Sequence, residues 1–103
     1  KNNPQSQPLP HEFVTLYLRG RTDGFVLKGG DATEGALTTM YDGPRPNKGY
    51  TPMKKQGAII LGIGGDNSNS AIGTFYEGVM TKGYTSDVTD DAVQANIVAA
   101  GYV

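Results

Sequence analysis

Gly57-Ala58-Ile59-Ile60-Leu61-Gly62-Ile63 is the stretch on which the fold turns. In an extended chain Ile59, Leu61 and Ile63 share one face, while Ala58 and Ile60 share the other. Both faces are apolar, so the segment reads as a central strand covered on both sides. It runs straight into Gly64-Gly65-Asp66-Asn67-Ser68-Asn69-Ser70, the most polar run of the chain. Residues 73–81, with Phe75, Tyr76, Glu77 and Met80, resume as a strand. Upstream, residues 13–19 alternate: Val14, Leu16 and Leu18 lie on one face, Thr15, Tyr17 and Arg19 on the other, as in a half-buried strand. Asp23-Gly24 suits a tight hairpin with positive φ. Residues 25–28 form the return strand, broken by Gly29-Gly30-Asp31. Residues 37–41 make a third strand, and 42–52 a proline-rich loop. The one helix comes last. Thr89 caps it, Asp90 and Asp91 favour its N-terminal end, Gly101 stops it, and Val93, Ile97 and Ala100 form its buried stripe.

Five strands followed by one short helix predict an all-β fold, an antiparallel β-sandwich. Residues 1–12, with three prolines, read as an extended arm, and 13–103 as a portion of a larger sandwich domain, since so few strands leave residues 57–63 undercovered. The 103 residues hold one core at most. Glycine, at 15 residues, is about twice its usual share, which favours turns and close backbone contacts over helices. The formal net charge of −1 offers no basic field, so neither nucleic acid nor an anionic membrane is an expected partner. No apolar run approaches the roughly 20 residues that span a bilayer. With no cysteine, disulfides, thiolate metal sites and cysteine nucleophiles are excluded within these residues. The Lys1 start reads as a processed product or a fragment.

Chemistry is expected where the buried strand meets the glycine pair, at Asp66. A rigid strand there positions a flexible loop, and glycine allows close ligand approach. The same Asp, Asn and Ser residues also suit an ordinary turn. Asp66, Ser68, Ser70 and Glu77 match positions 1, 3, 5 and 12 of a calcium loop, but Ala71 replaces the required glycine and the flanks read as strands, so no metal or other cofactor is expected. Asp66 and Glu77 are also the candidate carboxylate pair for glycoside hydrolysis, although Glu77 sits within an alternating strand. Asp31 and Asp42 read as turn residues. His11, the lone histidine, has no evident triad partners.

The blocks at 57–69 (GAIILGIGGDNSN) and 73–81 (GTFYEGVMT), with 92–100 (AVQANIVAA), closely resemble the catalytic domain of family 54 α-L-arabinofuranosidases. Residues 27–31 and the 41–46 loop, with Gly49, Tyr50, Pro52 and Met53, resemble it too. The resemblance implies a jelly-roll-like β-sandwich, a secreted enzyme without a cofactor, and removal of terminal arabinofuranose from arabinoxylan and arabinan with retention of configuration. It implies that Asp66 is the general acid/base and that the Gly65 backbone touches the sugar. Glu77 receives no role. The family's nucleophile, a Glu in an Asp-Met-Glu-Asn-Gly-type motif, has no counterpart in these residues, and neither do its vicinal cysteine pair and arabinose-binding module. The chain thus looks like the C-terminal third of the catalytic domain. Two readings follow. In one, this is the acid/base-bearing chain of an enzyme whose nucleophile lies on an upstream chain of the same precursor. In the other, it is a non-catalytic carbohydrate-binding or structural sandwich.

Overall fold

A computed structural model describes residues 4, 7–45 and 72–103 of the protein. The chain divides into two compact units, one of residues 1–51 and 83–103, the other of residues 52–82.

The first unit is a three-stranded antiparallel sheet, β1 (Val14–Arg21), β2 (Gly24–Asp31) and β3 (Thr38–Pro44), in the order β1-β2-β3, with one helix, α1 (Asp87–Ala99). The expected hairpin is present, with Arg21 paired to Gly24 across Thr22 and Asp23. Its turn differs from expectation: neither Gly24 nor any described non-glycine residue has a positive φ. Gly24 is required for space instead, because a Cβ there would run into the carbonyl of Gly43 on β3.

The glycine pair at 29–30 does not break β2, as the sequence suggests. Both residues stay in the ladder, opposite Leu16 and Thr15. A Cβ on Gly29 would stand 2.6 Å from Met40 Cε and 2.9 Å from a Leu9 methyl, so the bare backbone makes room for packing across the sheet. A register shift between Leu27 and Lys28 turns Met40 into that space, where it is buried. β3 also runs further than predicted, through Asp42 to Pro44, since those residues pair with Val26 and Gly24.

The buried face of β1, which alternation leaves open, is the polar one. Thr15 and Arg19 are buried, whereas Leu16 and Leu18 are 70% and 68% exposed. Pairing places Tyr17, Arg19, Val26 and Lys28 on one face, and Leu16, Leu18, Phe25, Leu27 and Tyr41 on the other. The polar face is the one turned to α1. Phe25 and Tyr41 stack on the opposite face with centroids 4.7 Å apart.

Helix α1 begins earlier than predicted. Ser86 is its cap: extended at φ −98°, its Oγ accepts from the Thr89 amide, while its carbonyl accepts from the Asp90 amide at 3.0 Å. Thr89 is therefore in the first turn. Gly101 ends the helix at φ +76°, a conformation that favours glycine, and its amide bonds the Val98 carbonyl. The buried stripe is polar rather than apolar. Asp90 and Gln94 are its fully buried members, Val93 and Ile97 are half-buried and Ala100 is exposed. Tyr102 then stacks on Phe13 at 5.4 Å, bringing the end of the chain to the start of β1.

In the second unit, residues 72–82 carry no strand. The expected strand at 73–81 is thus not formed. Alternation sorts side chains onto two faces, but a strand also needs a neighbouring backbone to pair with, and no ladder to these residues exists among the described ones. The central strand expected at 57–63 lies outside the described residues. Those that are described form a single antiparallel sheet with one short helix, one layer of the predicted architecture.

Candidate functional site

Two groups of polar side chains are built onto the sheet. The first joins the helix-facing side of β1 and β2 to α1. Arg19 Nη1 donates to the Thr85 carbonyl at 2.8 Å and lies 3.2 Å from Asp90 Oδ2, while its Nη2 donates to Asp87 Oδ1 at 3.0 Å. Lys28 Nζ bridges the same two carboxylates, 2.8 Å from Asp87 and 2.9 Å from Asp90. Thr85 Oγ1 donates to the other Asp90 oxygen at 2.9 Å and sits 3.5 Å from the Tyr17 hydroxyl. The Tyr84 ring closes the group, with the Arg19 guanidinium 4.7 Å from its centroid.

The charges of this group reinforce one another. Burial pushes the Asp90 carboxyl up, but hydrogen bonds from Lys28, Tyr17 and Thr85 outweigh it and hold the carboxyl below its usual range. Asp87 is held low chiefly by its hydrogen bond from Lys28. Burial pulls the Lys28 ammonium down, yet Asp87 and Asp90 together raise it above its ordinary value. Burial raises the Tyr17 phenol.

The second group surrounds the end of β2. Asp31 Oδ1 accepts from both the amide and hydroxyl of Thr33, at 2.8 and 2.6 Å, an Asx-type turn that keeps its carboxyl low. Its Oδ2 is 3.4 Å from His11 Nδ1. Gln94 reaches across from α1 to donate to the Asp31 and Gly35 carbonyls, at 2.8 and 3.2 Å. His11, Asp31 and Glu34 line a cleft of about 370 Å³ beneath the N-terminal arm. Among the described residues, no three His, Cys, Asp or Glu side chains come together as a metal site.

Asp66 and Gly65, on which the sequence reading centres, lie outside the described residues, as do Ser68, Ser70 and Ala71 of the calcium template. Glu77 is described and exposed, outside any regular element. Asp31 forms the predicted turn, whereas Asp42 does not: it sits in β3 and pairs with Arg21 at 3.3 Å. The charged group around Asp90 is not evident from the sequence pattern. Its signals are one cation on each of two paired strands, Arg19 and Lys28, and two aspartates three residues apart on one helix face.

The chain matches the family model for the catalytic domain of α-L-arabinofuranosidase B over residues 1–103. It belongs to that family. An α-L-arabinofuranosidase of Hypocrea jecorina is 57% identical over 102 residues, 98% of this chain and 20% of the relative. An arabinofuranosidase/β-xylosidase of Trichoderma koningii is 56% identical over the same shares. The crystal structure of an arabinofuranosidase complexed with arabinofuranosyl-α-1,2-xylobiose superposes with a TM-score of 0.86 at 56% identity, covering 98% of this chain and 21% of that one. The chain thus spans about a fifth of the length of these arabinofuranosidases. No helix among its described residues is long and apolar enough to cross a membrane.

Proposed function

We propose that this chain carries the general acid/base, Asp66, of a secreted, retaining α-L-arabinofuranosidase that removes terminal arabinofuranose from arabinoxylan or arabinan. The observation that carries the reading is the family match over all 103 residues, with the Gly64-Gly65-Asp66 junction inside the matched range. A sugar complex among the superposable structures supports the substrate class.

Retaining hydrolysis needs two carboxyl groups roughly 5–5.5 Å apart. Asp66 protonates the leaving oxygen as the nucleophile attacks the anomeric carbon. It then takes a proton from water as the glycosyl-enzyme is hydrolysed. Gly65, lacking a Cβ, lets the sugar approach the backbone. The nucleophile is a glutamate contributed by an upstream chain of the same precursor, and the active site forms between the two. A partner is consistent with the exposed Leu16 and Leu18 face of β1.

The test is Asp66→Asn in the assembled protein. General acid catalysis contributes about 10²–10⁴-fold, so arabinan hydrolysis should fall by that factor. Unchanged hydrolysis would rule out the assignment.

A further inference from the structure

Helix α1 buries an aspartate and a glutamine where amphipathic helices bury leucines. Asp90 is 0% exposed and Gln94 2%, while Val88 on the same helix is 79% exposed. The long side chains of Arg19, Lys28 and Gln94 span the space from the sheet to the helix region. We propose that α1 is a detachable element held on the sheet by the charge of Asp90, docked while that carboxylate is ionised and released when it is protonated.

The hydroxyl and cationic groups facing Asp90 favour its anion. From β1 come Arg19 and the Tyr17 phenol, from β2 comes Lys28, and from the helix lead-in comes the Thr85 hydroxyl. Asp87, its only acidic neighbour in the group, shares both cations and is largely exposed. Arg21 is occupied elsewhere, by Asp23, Asp42 and the Tyr84 hydroxyl. Protonating Asp90 leaves Arg19 and Lys28, both buried, to share the single carboxylate of Asp87, a penalty for a buried network. Gln94 leaves with the helix, freeing the Asp31 and Gly35 carbonyls and loosening the wall of the cleft beside His11.

The direction of the pH effect follows from the depressed carboxyl. A folded-state value below the ordinary 3.8 means that the stabilisation is complete above that value and fades as pH falls through the lower, folded one. The latch therefore holds through mildly acidic conditions and opens only in stronger acid. It rests on the packing of α1 alone, so its failure would leave the role of Asp66 untouched.

Amide exchange across a pH series, corrected for intrinsic rates, tests this in the full chain in its native assembly. Below pH 3.8, protection of the α1 amides should fall by up to about tenfold per pH unit for each linked proton, those of Asp90 and Asp87, while β2 amides keep theirs. Loss of α1 and β2 protection in step, or no loss in α1, would overturn the proposal. Asp90→Asn should show weak α1 protection at pH 7, with a remaining pH dependence no steeper than the one proton of Asp87; a pH dependence as steep as the parent's would overturn the proposal. If that variant does not fold, Thr85→Val serves instead: by removing one donor to Asp90 it should move the release to higher pH, and an unmoved release would equally overturn the latch.

Discussion

Lys28 Nζ lies 2.9 Å from Asp90 Oδ2, with the lysine side chain 6% exposed and the aspartate fully buried, so a complete ion pair ties the middle strand to the helix. Arg19 doubles the cationic side. Such pairs add little when whole, because desolvation offsets the attraction, but removing one partner strands the other. Lys28→Met is expected to cost about 3–5 kcal/mol, the usual range for a broken buried pair. Denaturant melts of the variant in its native assembly check the figure, and a loss below 1 kcal/mol would mean that Arg19 alone satisfies Asp90.

Ser86, not the expected Thr89, caps α1, and substitution separates them. Ser86→Ala removes the acceptor for the Thr89 amide and should cost about 1 kcal/mol, as lost N-caps do. Thr89→Ala leaves that bond intact and removes only a 3.2 Å hydroxyl contact with Ser86. It should change the melting midpoint far less. Equal effects would restore Thr89 as the cap.

Two glycines of β2 should respond differently to alanine. At Gly24 the added methyl meets the backbone carbonyl of Gly43, which cannot swing away. At Gly29 it meets Met40 Cε and a Leu9 methyl, the free ends of flexible side chains. Gly24→Ala is therefore expected to cost about 1–3 kcal/mol, in the range of overpacking, and Gly29→Ala less. Thermal melts of the two variants side by side give the order.

The hairpin, the single C-terminal helix and its stop at Gly101 were legible because each depends on local chemistry: a short turn between alternating strands, and a residue tolerant of positive φ. The inside of β1 was not. Alternation separates Thr15, Tyr17 and Arg19 from Leu16 and Leu18, but it does not say which side a partner occupies. Here the polar side meets a helix whose own buried residues are charged, so two apparent violations of burial satisfy one another. Gly29 and Gly30 misled for a related reason: glycine weakens a strand in isolation, yet here it admits Met40 and Leu9. Asp66 reads in the sequence as a loop carboxylate after an apolar run, a reading that falls outside the described residues. Its assignment as acid/base came from the surrounding blocks, since a turn aspartate and a catalytic one look alike by pattern.

Gly65 offers a test of close sugar approach. Gly65→Val should weaken substrate affinity more than Ala71→Val, six residues away, because only the first adds bulk where the backbone is proposed to meet the ligand. Michaelis constants on an aryl arabinofuranoside decide it, and equal changes would reduce Gly65 to turn chemistry.

The most direct measurement is product analysis of Asp66→Asn, in the assembled protein, with an activated aryl arabinofuranoside and added azide. Such a leaving group departs with little protonation, so the glycosyl-enzyme still forms, but water attacks it slowly without a base. Azide needs no base. The account predicts that azide accelerates turnover of the variant and yields arabinofuranosyl azide with the substrate's anomeric configuration, with no such effect in the unsubstituted protein. A variant as fast as the parent on arabinan, or one that azide does not rescue, would contradict the role of Asp66.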